Sequence, residues 1–255
     1  MFYCNWHHCR IFAGLLGIGG GIIVVPALAY VFHWQGIPYD IIMQMAAGTS
    51  LAAMILSGAV AAYSHKRHGI ELWPIYRLLA PGMILGTIAG AMLASLMDTR
   101  WLAVIFALLL LVTGLQMLTQ TKPEGHRKLP KFWGLSFMGF LIGANSGLLG
   151  LGGGILVVPF LIYSNIPIRN ALGISSLVTF TVAIVGTLSF IYTGLHVSQV
   201  PGSTGYIYWP AVLGIVAVSP IFAVLGVRLS HYLPVIFLER IFAVFLLLIG
   251  IKMLL

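Results

Sequence analysis

Apolar stretches close to the length of a membrane crossing follow one another along this chain, at roughly 11–33, 41–64, 74–97, 101–119, 132–163, 170–193, 207–230 and 236–255. Hydrocarbon offers no water to a peptide N–H or C=O, so only helices and closed barrels cross a bilayer, and segments of this length are helical. Hydrophobic residues make up 60% of the chain and charged ones 7%, a surface that water could not solvate. The expected class is an all-α polytopic membrane protein, with the lipid bilayer as its first partner. Lys and Arg outnumber Asp and Glu by 13 to 5. The spans hold almost none of them, so the excess lies in loops or along a path, which favours anions as partners. The basic residues are scattered between apolar spans and form no single patch, so nucleic acid is not a partner.

The chain writes one block twice. "GLLGIGGGIIVVP" begins at Gly14 and "GLLGLGGGILVVP" at Gly147, with 11 of 13 positions identical. "GTSL" at Gly48 to Leu51 answers "GISSL" at Gly173 to Leu177, the "WP" at Trp73 answers that at Trp209, and "FALLLLVTGLQML" answers "FAVFLLLIGIKML". This is an internal duplication. The polar stretch "TQTKPEGHRKLPK", Thr119 to Lys131, divides it: a first transmembrane repeat over 1–119, a basic linker over 120–131 and a second repeat over 132–255.

The glycine blocks fall where helix is ordinarily compulsory. Phe132 to Tyr163 would measure about 48 Å as one helix against a hydrocarbon core of about 30 Å, too long for one crossing and too short for two. Gly150, Gly152, Gly153 and Gly154 lie near its middle, each costing about 1 kcal/mol relative to Ala in a helix interior, so a break is predicted there. Gly17, Gly19, Gly20 and Gly21 repeat the pattern. Broken backbone at membrane depth must be satisfied by protein or water, and a half-helix N-terminus presents free N–H groups and a positive dipole end to an anion. Close helix packing is the other use of such small residues. The hydroxyls of Thr49, Ser50, Ser175 and Ser176, expected on first helical turns, would add donors, against the alternative of ordinary capping or interhelical bonds. Asn145 and Ser146 precede the second block where the first has Phe12 and Ala13, so the site is expected to be asymmetric.

Charge bears on topology. If each glycine segment enters and returns as a hairpin, every half has three full crossings and the halves are inverted copies. Lys66, Arg67, Arg77, Lys122, Arg127, Lys128, Lys131, Arg169, Arg228 and Arg240 then lie inside, against Arg10, Arg100 and Lys252 outside. If each glycine segment crosses once, the halves are tandem copies and the bias is weaker. The loop "SHKRHG" carries Lys66 and Arg67, whereas "GLHVSQVPGSTGYIY" in the other half carries no Lys or Arg. Such alternation is the mark of inverted repeats, each with a glycine-broken helix and three transmembrane helices.

A doubled GxGGGxxxxP block followed by a GTS-like block, in a chain with this many spans, resembles the TauE/SafE family of sulfite exporters, and the likeness runs over nearly the whole length. The resemblance implies a transporter of small sulfur-containing anions, such as sulfite or sulfoacetate, in a bacterial inner membrane. It also implies a longer apolar lead than the "MFYCNWHHCRIFA" present here, so the first arm reads as shortened.

Absences narrow the mechanism. Asp40, Glu71, Asp98, Glu124 and Glu239 all fall at loops or segment ends, which leaves no carboxylate inside the membrane for a proton relay. A monovalent anion is nonetheless driven out of a negative interior by about 2.3 kcal/mol per 100 mV, so uniport suffices for export. "CNWHHC" lacks zinc-ligand spacing, His65, His68 and His196 flank segment ends, and Trp73, Tyr76, Trp101, Tyr206, Tyr208 and Trp209 suit an interfacial belt. No metal, cofactor or catalytic set is expected, and an enzyme is disfavoured. An anion channel and a non-transporting accessory subunit remain as alternatives.

Overall fold

The computed structural model describes residues 21–67, 73–119, 130, 132–196, 200–217 and 235–254. The helices are α1 (Gly21–Trp34), α2 (Ile42–Arg67), α3 (Trp73–Leu96), α4 (Thr99–Thr119), α5 (Phe132–Leu149), α6 (Gly154–Tyr163), α7 (Ile168–Gly194), α8 (residues 209–217) and α9 (Val235–Leu254). A 3-10 turn, Tyr39–Ile41, precedes α2, and a small antiparallel hairpin pairs Ser203 with Tyr208 and Thr204 with Ile207. Five of the described helices, α2 with its leading turn, α3, α4, α5 and α7, are long and apolar enough to cross a membrane. With 14 and 10 residues, α1 and α6 reach only about 21 and 15 Å, short of a full crossing.

Glycine sets how the helices meet. Along α3, Gly82, Gly86 and Gly90 lie against the carbonyls of Ser136, Phe140 and Ala144, while along α5, Gly139, Gly143 and Gly147 lie against those of Leu79, Met83 and Thr87. A Cβ at any of the six would strike the neighbouring backbone. Both series climb by four residues together, so α3 and α5 run parallel, close enough for Cα–H groups to face carbonyls. The opposite holds for α2 and α7: Gly48 packs on Phe190 and Gly58 on Phe180, so the two run antiparallel. In the α4–α9 pair, Gly114 meets Ala243 and Leu247, and Gly250 meets Ala107 and Leu111. These helices also run antiparallel, and their contacts are reciprocal between residues that correspond in the two "FA…GxxML" stretches.

Two turns share one geometry. After α1, Gly36 has φ +74° and the Ile37 N–H donates to the Phe32 carbonyl at 3.1 Å; after α6, Asn165 has φ +61° and the Ile166 N–H donates to the Leu161 carbonyl at 3.0 Å. Both are Schellman stops, with a left-handed residue after the last helical turn. Pro38 and Pro167 follow with nearly equal φ and ψ. After Pro38 the chain makes the 3-10 turn Tyr39–Ile41 before α2, whereas after Pro167 it enters α7 directly.

The apolar core runs between the helices, with Phe32, Met45, Leu51, Phe106, Leu149, Leu151, Val178 and Phe190 essentially inaccessible. The hairpin caps one end of the α2–α7 pair. Its Tyr206 N–H donates to the Phe190 carbonyl at 3.2 Å, and the Tyr206 ring meets Phe190 edge to face. Tyr206 is therefore buried and not an interfacial residue, because the turn drives it against Gly48 and Gly194, where no side chain stands in the way. Trp73, Trp101 and Trp209 do lie exposed.

Candidate functional site: a break between two half-helices

Helix α5 ends in another Schellman turn. Gly150 has φ +72°, and the Leu151 N–H donates to the Ser146 carbonyl at 3.0 Å. Leu151 and Gly152 link the two helices, the Gly153 N–H folds back on the Leu151 carbonyl at 2.8 Å in a tight turn about Gly152, and Gly153, at φ +73°, starts α6 without a side-chain cap. Only glycine takes these left-handed angles without steric cost. Among the described residues, no hydrogen bond leaves the N–H groups of Gly152, Gly154 or Ile155. The α6 start thus holds several main-chain donors without acceptors, at the positive end of a helix dipole.

This backbone is enclosed by protein. Gly150 to Gly154 are all buried. Gly150 lies on the Ala47 backbone of α2, Gly152 against Met54 and Thr179, and Gly153 against Val178 and Val182 of α7. Close packing is therefore one task of these glycines. The start of α1 meets the same place: Gly21 abuts Met54, the Gly150 carbonyl and the Leu151 Cα. Gly17, Gly19 and Gly20 lie outside the described residues.

The candidate hydroxyls divide into two groups. Thr49 accepts from the Tyr208 N–H of the hairpin at 3.0 Å, Ser50 donates to the Gly150 carbonyl at 3.1 Å, and Ser176 donates to the Gly173 carbonyl at 2.7 Å. Ser50 thereby pins the break to α2. Among the described residues Ser175 is fully buried with no partner, and so are Ser146, Thr179 and Thr187 at no more than 5% exposure. Asn145 faces outward, its amide donating to the Leu141 carbonyl of its own helix at 3.3 Å. None of the four predicted hydroxyls lies on a first turn: α2 starts at Ile42 and α7 at Ile168, so both pairs sit about two turns in. The Ile-Pro turns, not the hydroxyl blocks, start these helices. Thr179 was missed by sequence reasoning, although it follows Ser175 by one helical turn and shares its face.

The break carries no charged side chain among the described residues. Asp40 and Asp98 are exposed at helix ends. No group of His, Cys, Asp or Glu able to hold a metal occurs among the described residues, and the "CNWHHC" stretch lies outside them. A groove of about 350 Å³ between α3 and α7, lined by Ile84, Ile88, Met92, Val185, Leu188 and Tyr192, is apolar and involves none of the break residues.

Comparison with known proteins places the chain. The family model for the sulfite exporter TauE/SafE matches residues 9–253. The chain belongs to the TauE/SafE family. It is 37% identical to a probable membrane transporter protein of Haemophilus influenzae, over 94% of this chain and 92% of that one. A probable membrane transporter protein of Xylella fastidiosa is 33% identical over 69% of this chain and 68% of its own, and one of Methanocaldococcus jannaschii is 27% identical over 78% and 71%. No solved structure matches. This TauE/SafE protein is thus a multi-pass membrane transporter by family.

Proposed function

We propose that this TauE/SafE protein exports small sulfur-containing anions, such as sulfite or sulfoacetate, across a bacterial inner membrane, and that the anion is held by main-chain N–H groups at the glycine breaks. One observation carries the reading: among the described residues the N–H groups of the buried Gly152 and Gly154 and of the half-buried Ile155 have no acceptor, at the start of a half-helix too short to cross the bilayer. Buried donors left unpaired cost about 1–3 kcal/mol each, and an oxyanion recovers that cost by accepting from them. The positive end of the α6 dipole adds to the attraction without a side-chain charge.

In this reading the two halves are inverted repeats. Support comes from the antiparallel pairing of α2 with α7 and of α4 with α9, helices that correspond in sequence, and from the reciprocal Gly114 and Gly250 contacts. The matched turns after α1 and α6 add to it. The half-helices α1 and α6 then enter from opposite faces and meet at Gly21 and Gly150, an arrangement in which both sides of the membrane reach the site by turns. With no described carboxylate at the break, the membrane potential is the driving force, about 2.3 kcal/mol per 100 mV for a monovalent anion.

The test is efflux from proteoliposomes loaded with sulfite. Native protein gives saturable efflux that rises with an interior-negative potential, and Gly153→Leu, which fills the start of α6, abolishes it while the protein still inserts. Efflux at the native rate from Gly153→Leu removes the site assignment. Efflux indifferent to voltage removes the uniport mechanism.

A further inference from the structure

Two orphaned hydroxyls lie beside the broken backbone, each from a different helix. Ser146, near the end of α5, is 0% exposed and Thr179, on α7, is 1% exposed; among the described residues neither hydroxyl has a hydrogen-bond partner. The Ser146 Oγ lies 3.4 Å from the point that a Cβ on Gly153 would occupy, and the Thr179 Oγ1 lies 3.3 Å from the corresponding point on Gly152. Both hydroxyls therefore stand over the short backbone that carries the unpaired donors. Serine and threonine inside a helix ordinarily bond back to the preceding turn, as Thr181 does to the Leu177 carbonyl at 3.0 Å. Ser146 and Thr179 forgo that bond. When the duplicated blocks are aligned, the first half places Ala13 and Ala53 at these positions, so the hydroxyl pair belongs to the second half alone.

We propose that Ser146 and Thr179 are the specificity-determining residues of this transporter, a pair of hydroxyl donors that grip two oxygens of the anion while the α6 N–H groups take a third. The inference rests on the reading that the break holds the anion. Donors arriving from α5, from α7 and from the α6 start do not share one line, and they suit a head group with oxygens pointing in three directions. A pyramidal sulfite or a sulfonate has that shape. A planar carboxylate lacks the third oxygen, and chloride cannot separate its acceptors at all. A site built to bond each oxygen rejects an analogue that leaves its buried donors unpaired.

The experiment is calorimetric titration of the purified native protein, Ser146→Ala, Thr179→Val and Thr179→Ser with sulfite and methanesulfonate, alongside melting of each without anion. Hydrogen bonds to charged groups set the scale, so Ser146→Ala and Thr179→Val each weaken sulfite binding at least about tenfold, while Thr179→Ser, which keeps the hydroxyl, stays within about twofold. Without anion, Thr179→Val melts no lower than native, because it removes a buried hydroxyl that bonds to nothing and keeps the methyl that packs on Gly152. Native affinity in both Ser146→Ala and Thr179→Val, with binding lost in Gly153→Leu, overturns the hydroxyl pair and leaves the break as the site. Failure of the native protein to bind either anion overturns both. If Thr179→Val does not fold, Thr179→Ser decides: a loss of binding there refutes the role given to the hydroxyl.

Discussion

Neighbouring glycines in the break are predicted to fail in opposite ways when a single methyl is added. At Gly150 the backbone sits at φ +72°, and the new Cβ would land on the Ala47 Cα and carbonyl of α2. The left-handed conformation costs a non-glycine residue about 1–2 kcal/mol. Overpacking against a wall of backbone adds about 1–3 kcal/mol, since backbone cannot swing aside as a side chain can. Gly150→Ala therefore loses about 2–5 kcal/mol of stability. At Gly152 the backbone is not left-handed, and the Cβ would meet the Thr179 Cγ2 at 2.6 Å and the Met54 Sδ at 3.0 Å, the ends of side chains. Met54 adapts readily but the β-branched Thr179, the nearer contact, turns only about χ1, so Gly152→Ala costs about 1–3 kcal/mol, without the left-handed cost that Gly150→Ala adds. The Gly152→Ala methyl also comes within 3.3 Å of the Thr179 hydroxyl, on the backbone that carries the free N–H groups. Thermal unfolding in detergent, followed by tryptophan fluorescence, should place Gly150→Ala further below native than Gly152→Ala. Sulfite efflux per folded molecule should fall more than tenfold in Gly152→Ala. A Gly150→Ala protein as stable as native, or a Gly152→Ala protein transporting at the native rate, refutes the reasoning.

Other outcomes follow from single contacts. Gly86→Leu drives a side chain into the Phe140 carbonyl at the α3–α5 seam and should yield aggregated protein on size-exclusion chromatography, whereas Leu85→Ala on the exposed face of α3 should run as native. Gln44 donates to the Met97 carbonyl at 2.7 Å, so Gln44→Leu takes away that carbonyl's partner, while the Thr99 hydroxyl keeps the Asp40 carbonyl at 2.8 Å, and should lower stability by about 1–3 kcal/mol in unfolding titrations. Burial in the hairpin pushes the Tyr206 phenol above the ordinary tyrosine value. The unfolded chain then loses that proton first, so stability is full below a pH of about 10 and declines as pH rises through the folded value, a decline that Tyr206→Phe should remove in alkaline melts.

What could be read in the sequence followed from length and composition. Uninterrupted apolar runs fixed the helix bounds to within a few residues for α2, α3, α4 and α7. A 32-residue apolar segment with clustered glycines was incompatible with one helix, and the chain does stop at Leu149 and restart at Gly154. The placement of hydroxyls was less legible. Thr49 and Ser175 correspond in sequence, yet Thr49 is occupied by the hairpin and Ser175 by nothing, and only the tertiary position of the loop after α7 distinguishes them. The same holds for Ser146 and Thr179, whose importance lies in the partners they lack. The four-residue glycine spacing over Gly82 to Gly90 and Gly139 to Gly147 was present in the letters, but only the packing shows that the two series face each other. The interfacial expectation failed at Tyr206 because an aromatic next to a tight turn can be folded inward as easily as left at the membrane surface.

The claim that main-chain donors hold the anion is most directly tested by amide NMR of protein labelled with ¹⁵N-glycine and ¹⁵N-isoleucine during sulfite titration. The account predicts that the Gly152, Gly154 and Ile155 amide protons shift downfield together and saturate at the concentration that half-saturates transport, while Gly36 and Gly202, in turns outside the spanning helices, stay in place. Saturable sulfite binding that leaves those amides unmoved would contradict it.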